Sequence, residues 1–252
     1  MGREVGGGVS VFCACRDTTY PDKAGARQLG KFQMAQTDVL LARQSDRIRI
    51  YLGVKRLMDY VVCIPLVVFS LPLMLFVAAA IYVCSPGPVL FRQERDGHLG
   101  RKFRVLKFRT MHVDADKRLA ACLAENPEMA QEWARCYKLR NDPRLIGFLG
   151  KFLRSSCLDE LPQLFNVLAG DMTLVGPRPF PSYHLSAFDP AFRRQRCSVM
   201  PGLTGLWQVD RRDNGLDTQV HLDSYYINNL SLKLDAYILY KTALTVVTLR
   251  NG

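Results

Sequence analysis

The chain has 252 residues, with Lys+Arg 34 against Asp+Glu 23 and a formal net charge of +11. That length holds one good core with appendages, and the cationic surplus calls for an anionic partner: a phosphorylated substrate, an acidic lipid surface or nucleic acid. The eight cysteines include no Cys-x-x-Cys pair and follow no secretory signal; they read as reduced cytoplasmic thiols, against a disulfide frame or a zinc site.

Residues 1–37 carry Gly6-Gly7-Gly8 and little periodicity, and read as a mobile N-terminal segment with no function assigned. Over residues 38–59 apolar side chains recur at helical spacing (Leu40, Leu41, Ile48, Tyr51, Leu52, Leu57, Met58), with Arg43, Arg47, Arg49, Lys55 and Arg56 among them. This pattern predicts a basic amphipathic helix suited to a membrane surface.

Tyr60 to Cys84 is a run of 25 residues without a charge. At ~1.5 Å per residue it is long enough to cross a hydrocarbon core of ~30 Å. A single transmembrane helix is the default reading. Pro65 and Pro72 weaken it, because an interior proline removes a backbone hydrogen bond and kinks a helix. Ser70 is placed to bond a carbonyl freed by that kink. Basic residues flank both ends: Lys55 and Arg56 before, Arg92, Arg95, Arg101 and Lys102 after. The positive-inside rule then gives no orientation. A helix–break–helix that enters and leaves by one face keeps both flanks in the cytoplasm, so residues 60–84 read as a re-entrant hairpin and residues 85–252 as a cytoplasmic domain.

Ser85-Pro86-Gly87-Pro88 closes the run with a turn. Val89 to Arg95 and Lys102 to Phe108 read as extended segments around Asp96-Gly97-His98-Leu99-Gly100, which predicts a β-hairpin. The hairpin is expected to gather Arg92, Arg95, Lys107 and Arg109. Asp114 to Tyr137 is helical with a break at Asn126-Pro127, and Asn141-Asp142-Pro143-Arg144 is a turn.

Next comes the stretch Arg154-Ser155-Ser156-Cys157-Leu158-Asp159-Glu160-Leu161-Pro162. Leu158, Leu161, Leu164, Phe165 and Leu168 keep helical spacing, and Pro162 is tolerated only near a helix start. Asp159 and Glu160 then fall in the first helical turn, where the dipole favours anions and keeps a carboxylate deprotonated. Ser156 with Asp159, or Cys157 with Glu160, gives the capping register. An adjacent Asp-Glu pair alone usually marks solvated helix surface. Ringed by arginines, it suits chemistry on a metal-bound diphosphate. In Gly176-Pro177-Arg178-Pro179 the prolines restrict the backbone on both sides of Arg178 and pre-position its guanidinium for an oxyanion. Met200 to Val209 reads as a glycine-punctuated turn leading into a short apolar strand, with Arg211-Arg212 after it. His221 to Leu249 reads as helical.

Taken together and in order, these motifs are similar to those of a known family. They are Lys55-Arg56 with Asp59, Pro86-Gly87-Pro88-Val89, Phe91-Arg92-Gln93-Glu94-Arg95, Lys107-Phe108-Arg109-Thr110-Met111, Asp142-Pro143-Arg144, Leu158-Asp159-Glu160-Leu161-Pro162-Gln163-Leu164, Gly170-Asp171-Met172, Val175-Gly176-Pro177-Arg178-Pro179 and Pro201-Gly202-Leu203-Thr204-Gly205-Leu206-Trp207-Gln208. From about Lys55 to Leu249 the chain resembles the bacterial sugar transferases, monotopic phosphoglycosyl transferases that move a sugar-1-phosphate onto polyprenyl phosphate.

The resemblance implies an α+β, mainly helical fold: a monotopic membrane protein with a re-entrant proline-broken hairpin, a small β-hairpin and amphipathic interfacial helices. It implies the bacterial inner membrane, a catalytic domain on the cytoplasmic face, a UDP-sugar donor, a polyprenyl (undecaprenyl) phosphate acceptor, contact with membrane lipids, and Mg2+. Asp159 would be the nucleophile, expelling UMP and carrying a phospho-sugar. Glu160 would bind Mg2+ with Asp159 or assist proton transfer. Lys107, Arg109, Arg154 and Arg178 would hold phosphate oxygens. The product would enter exopolysaccharide, capsule or lipid-linked glycan assembly. Three positions depart from the family pattern: Cys157 stands where Ser is usual, Leu71 precedes Pro72 in place of Ser, and Arg211-Arg212 replaces Gly-Arg. The alternative is a single-pass anchor with a basic module binding anionic lipid or nucleic acid without catalysis. No regularly spaced nucleic-acid motif supports it, so no nucleic-acid partner is expected. A homo-oligomer is compatible with all of these features.

Overall fold

The uncharged run does not stand alone. It belongs to one helix, α1 (Lys23–Cys84), in a computed structural model that describes residues 23–136, 139, 141–186, 188–210 and 216–247. The chain divides into two units, Met1–Ile50 and Tyr51–Gly252. The first is described only by the leading part of α1. The reading of residues 1–37 as mobile therefore lies outside the described residues up to position 22, and Arg211-Arg212 lies outside them entirely. From Lys23 onward the chain is helical.

Within the second unit one stripe of α1 is covered. Lys55, Asp59, Cys63, Met74, Val77 and Ile81 are buried, with Val67 and Ser70 half-buried between them. Steps of three and four residues keep this stripe on one face of a 3.6-residue helix. The phase runs unbroken past Pro65 and Pro72, which both face outward. The sequence predicts two helical arms with a break; the structure carries one helical element through both prolines. Each proline deletes a single donor, and the packed stripe on the opposite face keeps the turns in register. Ser70 does not reach the carbonyl that Pro72 leaves free, which belongs to Val68. Its Oγ lies 3.4 Å from the Val67 carbonyl instead. The remainder of the run is exposed and apolar, and Asp46–Cys84 is long and apolar enough to cross a membrane.

The expected hairpin forms. Strands β1 (Leu90–Asp96) and β2 (Lys102–Phe108) pair antiparallel, joined through a 3-10 turn at His98–Gly100. The register sets Phe91 opposite Lys107 and Arg92 opposite Leu106. Directly opposed residues share a face and neighbours alternate. Lys107 and Arg95 therefore leave one face and Arg92 the other, so the hairpin does not gather its arginines. Helices α2 (Ala115–Glu125) and α3 (Pro127–Cys136) break where Asn126-Pro127 predicts. Then follow α4 (Gly147–Ser155), a 3-10 turn at Leu158–Glu160, α5 (Gln163–Ala169), β3 (Thr173–Val175), α6 (Ser182–Leu185) and α7 (Pro190–Cys197). Last come β4 (Gly202–Thr204), α8 (Leu206–Val209), α9 (Leu216–Asn228) and α10 (Leu232–Val247). Leu206–Val209 is helical where a strand is expected. The extended segment lies just before it, as β4, paired parallel to β3.

Two cores meet α1. Cys63 packs with Val105, Val167, Met172, Val175, Tyr226 and Ile238; Met74, Val77 and Ile81 pack with Phe108, Ile146 and Leu153. Leu161 touches both clusters. Polar anchors fix the N-terminal end of the stripe. Lys55 Nζ pairs with Asp235 Oδ2 at 2.8 Å, and Asp59 accepts from Thr173 Oγ1 at 2.7 Å and from the Leu174 amide at 3.0 Å.

The β3–β4 pair is a close backbone contact. A Cβ on Gly202 would meet the Gly176 nitrogen at 2.1 Å, and one on Gly176 would meet the Met200 carbonyl at 2.5 Å. Neither neighbour is a side chain that can swing away. Gly202→Ala is therefore expected to cost about 1–3 kcal/mol of stability, seen as a lower unfolding midpoint. Gly53→Ala, on an exposed helical position with open space around it, is expected to gain about 0.5–1 kcal/mol.

Candidate active site

The route to the carboxylate pair begins at the end of α4. Ser156 Oγ donates back to the Phe152 carbonyl at 2.7 Å, and Cys157 then takes a left-handed conformation with φ 57°. That residue reverses the chain and starts the 3-10 turn holding Asp159 and Glu160. Pro162 precedes the first residue of α5. The two carboxylates thus sit in a turn ahead of α5 and not in its first turn. Neither Ser156 nor Cys157 caps a helix with its side chain. A left-handed non-glycine residue costs ~1–2 kcal/mol, and such strain is often found beside functional groups.

The two acids meet opposite fates. Glu160 Oε1 accepts from Lys107 Nζ at 2.6 Å, and Arg178 donates from Nη1 to Oε2 at 3.2 Å and from Nη2 to Oε1. Burial alone would push the Glu160 carboxyl up; Arg178 and Lys107 outweigh it and hold it at about 2. Asp159 is 9% exposed. Among the described residues no side chain or amide hydrogen-bonds its carboxylate. Burial pushes it up from the ordinary aspartate value; Lys107 opposes this and Glu160 adds to it, with smaller lowering effects from Arg154 and Arg178. The expectation that a helix dipole keeps Asp159 low is corrected: the turn offers no helix N-terminus, and desolvation wins.

Asn166 on α5 fixes the distance between β2 and this turn. Its Oδ1 accepts from the Leu106 amide and its Nδ2 donates to the Arg104 carbonyl, both at 2.9 Å. Arg154, near the end of α4, donates from Nε to Thr110 Oγ1 at 3.0 Å, and its charge reaches Asp159. Lys107, Arg154 and Arg178 therefore all act on Asp159, and Lys107 and Arg178 also bond Glu160. Arg109 does not join them. It is buried, donates to the Ser85 carbonyl, and leaves Nε and Nη1 without partners under the Pro86-Gly87-Pro88 turn. Thr110, which orients Arg154, is a residue the sequence reading did not single out; its one signal is its place beside Lys107-Phe108-Arg109.

Among the described residues no group of three or more His, Cys, Asp or Glu side chains is preassembled for a metal. Mg2+ usually takes one or two carboxylates and completes its shell with water and substrate phosphates. The unpartnered Asp159 carboxylate beside Glu160 fits that donor set. A buried carboxylate surrounded by three cations can receive a phosphate ester and present an oxygen to it.

Known proteins resemble this chain over most of its length. The model of the bacterial sugar transferase family matches residues 50–249. The chain is 41% identical over 215 residues to an undecaprenyl-phosphate galactose phosphotransferase of Salmonella typhimurium, covering 84% of this chain and 43% of that one. It is 37% identical over 223 residues to the exopolysaccharide production protein ExoY of Sinorhizobium fredii, covering 86% and 96%. It is 40% identical over 207 residues to a UDP-glucose:undecaprenyl-phosphate glucose-1-phosphate transferase of Caulobacter vibrioides, covering 79% and 71%. The chain thus spans less than half of the Salmonella relative and nearly all of the Sinorhizobium one. The chain belongs to the bacterial sugar transferase family.

Proposed function

We propose that this protein transfers a sugar-1-phosphate from a UDP-sugar to polyprenyl phosphate at the cytoplasmic face of the bacterial inner membrane. The observation that carries the reading is the contrast within the carboxylate pair: Glu160 clamped by Lys107 and Arg178, Asp159 buried beside it with no hydrogen-bond partner among the described residues. In the first half-reaction an Asp159 oxygen attacks the sugar-bearing phosphorus. The bond from that phosphorus to the bridging oxygen breaks, and UMP leaves with the electron pair. In the second, a phosphate oxygen of the polyprenyl phosphate attacks the same phosphorus and Asp159 departs as carboxylate. Lys107, Arg154 and Arg178 hold the phosphoryl oxygens as charge develops. Asp159 and Glu160 are the residues that would hold Mg2+, which when bound neutralises part of the donor diphosphate. Both oxygens of Glu160 already accept from cations, so Asp159 supplies the open lone pairs.

Helix α1 supports this membrane placement. Lys55 and Asp59 before the apolar run, and Ile81 and Ser85 at and after its end, are tied to one domain. That domain lies on one side of a bilayer, so both ends of the run do too. This supports a monotopic insertion in which the exposed apolar face of α1 sits in one leaflet while both ends of the run stay on the same side. Phe148 and Phe152, stacked at 6.2 Å and exposed on α4, extend the apolar surface toward Arg154. The same chemistry fits assembly of exopolysaccharide, capsule or another lipid-linked glycan.

Purified protein with Mg2+, polyprenyl phosphate and a panel of UDP-sugars is expected to release UMP. Asp159→Asn should lower the rate ~10³-fold or more while keeping the parent's melting profile, and mass spectrometry of the parent with donor alone should find a phospho-sugar on Asp159. A folded Asp159→Asn protein working at the parent rate would refute the nucleophile. The pH profile tests the same group. Asp159 must be ionised to attack and its pKa is raised, so activity should fall with acid from above the ordinary aspartate value of ~3.9. In Lys107→Met that acid limb should move to higher pH, because the strongest influence holding the carboxyl down is gone. A limb that stays in place, or moves lower, would remove Asp159 from the rate-limiting ionisation. Finally, a tag at the N-terminus should resist protease in intact spheroplasts and be cut in inside-out vesicles, together with the catalytic domain. Cleavage in intact spheroplasts would mean that the run crosses the bilayer.

A further inference from the structure

The loop that carries Arg178 has an unusual difficulty. Pro177 and Pro179 have no N–H to donate, so the loop is held mainly by its carbonyls. Four successive ones are engaged, each by a different residue. The Gly202 amide donates to Pro177 at 2.9 Å, Arg196 Nη2 to Arg178 at 2.5 Å, Arg95 Nη1 to Pro179 at 3.2 Å, and the Asp96 amide to Phe180 at 3.2 Å. The contact on Arg178 itself comes from a side chain on α7.

Arg196 is built into its place. It is 6% exposed, its Nε donates to Asp223 Oδ2 of α9 at 2.9 Å, and its guanidinium carbon lies 4.2 Å from the Phe180 ring centroid. Asp223 is buried as well. A buried ion pair is often no more stabilising than apolar side chains of the same volume. What sets this pair apart is its third contact, on the residue whose other end grips Glu160. Asp223, Arg196, the Arg178 carbonyl, the Arg178 guanidinium and Glu160 form one continuous chain of contacts.

We propose that Arg196, oriented by Asp223, is a positioning residue for Arg178, fixing the guanidinium over the carboxylate pair from a distance. This rests on the transferase reading above. Arg196 touches neither donor nor acceptor in this scheme. It acts through the backbone of Arg178, so its removal lets the Pro-Arg-Pro loop shift and loosens the clamp on Glu160 and on the phosphoryl oxygens. A displacement of ~1 Å at such a site can cost ~100-fold in rate.

The test is a double-mutant cycle on the full chain in nanodiscs, read as UMP release, with Arg196→Met, Arg178→Ala and the pair. Arg196→Met alone is expected to lower kcat/KM by ~10–100-fold. In the Arg178→Ala background it should change the rate by less than about twofold, because the group it positions is already gone. Losses that multiply in the double variant would overturn the proposal, since a residue acting only on general packing gives independent effects. If Arg196→Met does not fold, the cycle is run with Arg196→Lys, which keeps the charge but lacks the fork needed to reach both Asp223 and the carbonyl; parent-level activity there would also overturn it. A parent protein inactive with every donor would instead refute the transferase reading.

Discussion

Glu160 accepts hydrogen bonds from Lys107 on β2 and from Arg178 in the loop after β3, and this three-way contact organises the site. It joins segments that are remote in sequence. Charge-assisted bonds of this kind contribute ~1.5–3 kcal/mol each. Its larger consequence is spatial. With Glu160 in the middle, two cations that would repel each other can face the same small volume. Counting Arg154 as well, three cations against Glu160 and Asp159 leave one positive charge (3 − 2 = 1). An incoming phosphate therefore meets a net attraction while one carboxylate stays in contact with it.

That cluster is located by the helix it hangs from. The N-terminal end of the covered α1 stripe is bonded to α10 and β3 through Lys55–Asp235 and Asp59–Thr173. The far end packs on Phe108, next to Lys107, and its Ser85 carbonyl takes a bond from Arg109. The hairpin strand carrying Lys107 is thus held against the part of the chain most suited to lipid. Arg154 belongs to the same helix as the exposed Phe148, which is 82% exposed. A charged site and an apolar surface are brought side by side by two short elements. An acceptor whose phosphate sits at the edge of a bilayer needs this adjacency.

Much of this was legible in the order of residues. The hairpin follows from two extended segments around the turn residues Asp96-Gly97-His98-Leu99-Gly100, and the break follows from Asn126-Pro127. Lys107, Arg154 and Arg178 were readable as companions of the carboxylate pair. What was not legible depends on neighbours far along the chain. Gly176 and Gly202 each look like turn residues; only their close approach explains why a Cβ is costly at either. Arg196 stands in the basic run Arg193-Arg194-Gln195-Arg196, and nothing local says that Asp223 lies opposite. Arg109 looks like another phosphate ligand, yet it bonds to the end of α1. The helix continues through both prolines for a related reason. Propensity describes an isolated helix, whereas the stripe from Lys55 to Ile81 is held in phase by tertiary packing.

The unequal treatment of two neighbouring acids is the feature that the proposed reaction would use. Glu160 has a folded-state pKa below its ordinary value, so its ionised form stabilises the fold above the ordinary glutamate value, and that contribution is lost as pH falls through about 2. Asp159 has the opposite sign. Its pKa is raised by burial, so its ionisation at neutral pH works against the folded state. Had Asp159 held a cation as Glu160 does, it would be more comfortable and less available, since its lone pairs would already be committed. The fold instead ties the cations to the neighbour and leaves Asp159 close enough to feel them but bonded to none. In the reaction proposed above, the cost of keeping that carboxylate charged would be offset once donor phosphoryl oxygens and Mg2+ occupied the space beside it. Stabilisation withheld from the resting protein would then be available to the reacting complex.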